Sequence, residues 1–208
     1  MTDALTPDQI TRLFTRSDGR YAFARWGRPI APIVFGTDDA TLRTIKGAIE
    51  AVVLLAGHKM AEVDPELGTN LMLFFFRDWD ELLAVPDLDR VVEGLDTLVP
   101  RLKAQDANQY RAFRFDENGA IRAAFVFVRM DEGMSALPAE DIALMQAVQV
   151  ILLWGDEAFR EMPPLARANG VTVLRPEIAA VIAAAYDRVM PVAADDASHA
   201  LRLSARLV

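Results

Sequence analysis

The chain has 208 residues, 52% of them hydrophobic, with 22 Lys and Arg against 30 Asp and Glu, a formal net charge of −8, and no Cys. That length and apolar content suit one globular domain or at most two small ones. The acidic balance argues against a surface built to neutralise phosphates, so no nucleic-acid partner is expected, and the absence of Cys removes disulfides, thiolate metal sites, iron–sulfur clusters and cysteine nucleophiles.

Met1 to Asp8 contain neither a positive n-region nor an apolar run, which predicts no leader. No window approaches the about 18 to 20 uninterrupted apolar residues of a membrane span. The most apolar stretch, Val148 to Trp154, is interrupted by Gln149 and closed by Gly155 and Asp156. A cytoplasmic protein with no membrane partner is the expectation.

Thr6-Pro7-Asp8-Gln9 offers a capping hydroxyl, a first-turn Pro and a Gln at the third helical position, predicting a short helix through about Phe14. Tyr21 to Trp26 and Ile30 to Phe35 read as extended segments, the second confined by Pro32 to a sheet edge or bulge. Leu42, Ile45, Ile49, Val52, Val53 and Ala56 share one helical face, and Gly57 is placed to end that helix. Asn70 to Phe76 is a short continuous apolar run, expected as a central strand covered on both faces.

Asp78 and Glu81 have capping-box spacing and predict a further helix start. Leu88 to Leu102 keeps helical spacing, with Pro100 expected to kink it or split off its last turn. Tyr110 to Phe115 and Ile121 to Met130 predict a hairpin around Asp116-Glu117-Asn118-Gly119, whose residues tolerate positive φ. A helix from Pro138 through Leu152, a loop at Pro163-Pro164 and Asn169-Gly170, and a last helix from Pro176 through Val189 complete the pattern. From about residue 192 the tail is loosely patterned. The fold class expected is α+β: residues 1–208 as one domain, a small mixed or antiparallel sheet of about four or five strands, and long helices packed on one face.

Candidate chemistry is sparse. His58 and Glu62 stand four residues apart, a spacing that puts two metal ligands on one helical face; the competing reading makes His58 a residue just past the helix end. His199 lies in the tail with no ligand set beside it. The serines lack a G-x-S-x-G elbow, and no phosphate-binding glycine loop occurs. Asp38-Asp39, Asp78/Asp80/Glu81 and Asp87/Asp89 fall at predicted helix starts, where carboxylates satisfy free N–H groups. Arg25, Trp26, Tyr110, Arg111 and Arg114 are expected in cross-strand and cation–π contacts.

Gln146 and Gln149 interrupt an otherwise apolar helix and share a face. Either they form its solvent stripe, or they are buried and must bond to backbone, to each other or to a ligand, with Arg129 offering charge nearby.

The segment order resembles an uncharacterised family of bacterial zincin-like domains. The residues that carry the resemblance are Arg25-Trp26 before Pro29-Ile30, the strand led by Asn70, the helix containing Gln146-Ala147-Val148, and Tyr186-Asp187-Arg188 before Met190-Pro191. The resemblance implies a fold without the metal-binding motif. Ala143 stands where the family's helix glutamate is expected, and that helix has no His.

The leading expectation is a non-catalytic domain that binds a partner protein or a small ligand, with no cofactor and with Gln146, Gln149 and Arg129 as the ligand-binding candidates. Homodimerisation through a sheet edge or an apolar helix face is a further expectation. The alternative is a metal-dependent hydrolase with His58 and Glu62 among its ligands.

Overall fold

The computed structural model describes residues 5–207. Met1 to Ala4, on which the leader expectation partly rests, lie outside them. Helix α1 (Pro7–Leu13) carries the expected capping box, with Thr6 accepting from the Gln9 N–H and the Gln9 side chain accepting from the Thr6 N–H. Strand β1 (Phe23–Ala24) is only two residues long, and β2 (Pro32–Phe35) leads through Gly36 into α2 (Asp39–Leu55). Gly36 has φ of +80°, and a Cβ there would lie 1.9 Å from the Phe75 carbonyl oxygen, so the tight passage from strand to helix requires glycine.

Strand β3 (Leu71–Phe76), a 3₁₀ helix (Trp79–Ala84), α3 (Leu88–Val91), α4 (Leu95–Ala104), β4 (Gln109–Phe115) and β5 (Ile121–Arg129) follow. The sheet order is β2-β3-β5-β4, with β2, β3 and β5 parallel and β4 antiparallel at the edge. The continuous apolar run of β3 is thereby explained. Leu71, Leu73 and Phe75 enter the larger core, which contains residues of α2, while Phe76 enters the smaller one, where Met72 and Phe74 also pack. The predicted β4–β5 hairpin forms, with a register shift between Arg114 and Phe115.

After α5 (Glu132–Ser135), helix α6 (Ala139–Ile151) packs against α2 on one face of the sheet. The two longest helices therefore share a face, as expected, while the 3₁₀ helix, α3 and α4 cover the other. On α2, Ile45, Ile49, Val52 and Val53 are at most 2% exposed, each burial being worth about 1.5–3 kcal/mol.

Four local expectations are corrected. The segment from Leu88 to Leu102 breaks at Gly94, whose φ is +68°, and Pro100 sits inside α4. The loop expected around Asn169-Gly170 is a hairpin of β6 (Leu165–Ala168) and β7 (Val171–Leu174); Asn169 and Gly170 both take positive φ, the geometry of a two-residue turn. Helix α7 (Pro176–Ala185) ends four residues short of Val189, which is 62% exposed. The tail contains β8 (Ala193–Ala194), paired with β1, and then α8 (Ser198–Ser204), docked on α1 through buried His199, Ala200 and Leu203.

Candidate functional site

Helix α6 is held at its C-terminal end by three aromatic donors. Such an end leaves carbonyls without intrahelical partners. Here Trp154 Nε1 donates to the Val148 carbonyl, Trp26 Nε1 to that of Val150 and the Tyr186 hydroxyl to that of Ile151, each at 2.8 Å. Arg25 lies over the Tyr186 ring at 5.3 Å, a cation–π contact with a partner outside the expected set, and Trp26 is buried in the core and not on a sheet face. This clamp sets the position of Gln146 above the sheet.

Gln146 is fully buried, so it is not part of a solvent stripe. Opposite it is β4, where Gln109 and Arg111 occupy alternate positions and so share one face. Arg111 Nη2 donates to Gln146 Oε1 at 2.7 Å and to Gln109 Oε1 at 2.6 Å, and Gln146 Nε2 donates to Gln109 Oε1 at 3.0 Å. Both amides thus turn their oxygens toward the guanidinium.

No carboxylate joins this triangle. Arg111 forms no ion pair among the described residues, and burial alone pushes its pKa down to about 10, leaving it charged at neutral pH. A guanidinium has five N–H donors; Nη2 directs both of its own to the glutamine oxygens, while Nε is fully buried and has no acceptor. An isolated buried cation is costly unless paired, and a buried donor without an acceptor costs about 1–3 kcal/mol. Nη1, which is neither buried nor hydrogen-bonded among the described residues, is where an anionic oxygen can approach the group.

Gln149 is half-buried, with no side-chain hydrogen bond among the described residues. Arg129 is engaged elsewhere, bonded to Asp106 at 2.7 Å and lying 3.4 Å from Asp131. The cation that meets Gln146 is Arg111. Its signal in the sequence was an arginine on a strand ending in a hairpin, which is equally common on solvated faces.

His58 and Glu62 lie in irregular chain, not on a helix. Helix α2 closes with Gly57 at φ of +64°, and the His58 N–H reaches the Val53 carbonyl while the Gly57 N–H reaches that of Leu54. This is the six-to-one and five-to-two pattern of a glycine-ended helix. His58 Nε2 is 2.8 Å from the Arg28 carbonyl, so that nitrogen carries the proton, and burial lowers the pKa of the ring. Glu62 is exposed. Among the described residues, no three His, Asp or Glu side chains cluster closely enough to hold a metal ion.

Asp38 and Asp78 cap as expected, accepting from the backbone N–H groups of Thr41 and Asp80. Asp87 differs, because its left-handed φ of 58° removes the side-chain cap and the carboxylate pairs with Arg90 instead. His199 is buried, its Nδ1 2.8 Å from the Tyr21 hydroxyl and its Nε2 without a partner among the described residues. Ala143 is fully buried in α6.

A second buried polar group sits at the start of β3. Asp64 is 3% exposed and Asn70 is fully buried. The Asn70 amide donates to Asp64 and to the Pro29 carbonyl and accepts from the Ala31 N–H. Burial opposes ionisation of Asp64, but the N–H groups of Leu67 and Glu66, the Asn70 amide and Arg28 together hold its pKa below the usual carboxylate value.

A cleft of about 270 Å³ opens at the carboxyl ends of β2 and β3, between the starts of α2 and α6, with Phe75, Ile45 and Ile142 inside and Thr37, Asp38 and Thr41 also lining it. No helix among the described residues is long and apolar enough to cross a membrane. Comparison of the chain with protein-family models, curated proteins and solved structures gave no match.

Proposed function

We propose that this chain is a non-catalytic binding domain whose site is formed by Gln109, Arg111 and Gln146, and that it takes a ligand bearing a carboxylate. The observation that carries the reading is the Arg111 guanidinium, enclosed by two neutral amides, with a buried Nε–H that no acceptor reaches. A carboxylate meeting the accessible Nη1 would supply the missing charge, and charge-assisted hydrogen bonds are about twice as strong as neutral ones. The engagements of the groups suited to catalysis support the reading: Asp38 and Asp78 cap helices, His58 donates to a backbone carbonyl, and His199 meets Tyr21.

The test follows the Arg111 Nε–H resonance by NMR while acetate replaces chloride at constant ionic strength. A shift that saturates, with a rise in Tm that Arg111→Gln abolishes, is the expected result. A resonance that ignores acetate in the folded protein overturns the proposal.

A further inference from the structure

The cluster stands on an open sheet edge. Strand β4 is outermost, and its register pairs Arg111 with Val126 of β5, which is fully buried. Arg111 is partly exposed, and a neighbouring strand flanks β4 on the β5 side alone among the described residues. The backbone points the same way. Asn108 accepts from the Arg129 N–H at 2.8 Å, and bonded and unbonded pairs alternate in an antiparallel ladder. Tyr110, Ala112 and Arg114 therefore bond to β5, while the backbone N–H and C=O groups of Gln109, Arg111 and Phe113 face outward. Apart from a long 3.4 Å contact from Arg114 Nη1 to the Phe113 carbonyl, these outward groups have no partner among the described residues.

Two unmet needs thus coincide at one residue, a guanidinium without an anion and a backbone without a neighbouring strand. We infer that an extended segment of a partner protein adds along β4, with one carboxylate side chain beside Arg111 and an apolar side chain beside Phe113. This deepens the carboxylate-site reading and rests on it. Phe113 lies two residues along on the same face, half-buried against the larger core, so the alternation of an added strand delivers acidic and apolar side chains to the two positions together.

The commitment is to a single carboxylate, because one guanidinium is uncompensated while the whole chain carries −8. A second copy of the chain fits less well: antiparallel pairing centred on Arg111 would set two guanidinium groups side by side, and like charges directly opposite one another are destabilising. Inward-pointing charges on edge strands also serve to block edge-to-edge association, so the test must separate docking from guarding.

The probe is the fluorescently labelled, capped heptapeptide TVTETVT, which sets Val, Glu and Val on one face whichever way it runs. Fluorescence polarisation with the full chain is expected to show saturable binding. Replacing the peptide's Glu by Gln, N-methylating the peptide at alternate residues, or introducing Arg111→Gln should each weaken it about tenfold or more, roughly the loss of one charge-assisted contact. If the peptide fails to bind while acetate still moves the Arg111 Nε–H resonance, the partner assignment is wrong and the carboxylate site survives. If the peptide binds equally well to the Arg111→Gln variant, the carboxylate site itself is wrong. If no peptide binds and Arg111→Val makes the protein self-associate on size exclusion, Arg111 guards the edge and the inference is overturned.

Discussion

Two buried polar groups in this molecule each include an arginine, and they are opposite in design. Around Asp64, positive and negative partners are matched: Arg28 lies 3.4 Å from Asp64 and 2.9 Å from Glu66, Glu66 also pairs with Arg122, and every buried polar atom of Asp64 and Asn70 has a partner. Around Arg111, the guanidinium meets only neutral amides among the described residues and keeps a donor unmatched there. The first network ties the chain before β2 to the start of β3 and needs nothing more. The second is incomplete within the chain. A closed network is complete within the chain, whereas an open one leaves a donor that a group from outside could engage.

The contrast is sharpest at Asp64. Asp64→Ala leaves the Asn70 amide and the Leu67 and Glu66 N–H groups without their acceptor, and should lower unfolding free energy by about 3–5 kcal/mol in urea titrations. A loss as small as that at an exposed site would contradict the structural role.

Acidification probes a buried group outside both networks. Burial lowers the pKa of His199 to about 4, against about 6.5 when unfolded, so between those values the unfolded state binds the extra proton. Stability is then complete above about pH 6.5 and falls as pH drops toward 4, by at most about 3 kcal/mol from this residue. His58, also lowered by burial, contributes in the same direction. His199→Phe should flatten the thermal-stability profile across that window, and an unchanged slope would show that other groups dominate.

Next in size is Gln146→Leu, which removes one of the two oxygens facing Arg111 and should cost about 1–3 kcal/mol. The smallest effect is expected where the network is open. Arg111→Met removes an unpaired buried cation but also takes the donor from Gln146 Oε1, and because the two effects oppose each other stability should change by less than about 1 kcal/mol, while the acetate response disappears. A large destabilisation would place Arg111 in the same structural class as Asp64.

Much of the fold was legible because local rules sufficed. The capping box at Thr6, the one-sided face of α2 with its terminal Gly57, the doubly covered run of β3 and the turn at Asp116 to Gly119 each follow from residues close in sequence. Other elements were hidden for physical reasons. In α8, His199 packs like an apolar residue beside Ala200 and Leu203, so a polar assignment conceals the helical period. Between β6 and β7, Asn169-Gly170 was a hairpin signal, but the flanking strands are too short and too weakly alternating to outweigh the loop reading. Gln146 stood out as anomalous in the sequence, whereas Gln109 and Arg111, thirty-odd positions away, did not.

The sequence alone determined that the stretches forming α1, α2, β3, β4, β5 and α6 are helical or extended, where several of them stop, and that one helix carries an unexplained pair of glutamines. Those outcomes depend on side-chain period, caps and turn chemistry within a few residues. Only the tertiary structure decided that Gln146 is buried, that its cation is Arg111 and not Arg129, and that the unmatched donor sits on an exposed strand edge. The reason is that electrostatic compensation depends on distance in space: whether a charge is paired is settled by the sheet order that places β4 outermost and by the aromatic clamp that holds α6 above it, and neither is written in any local window of the chain.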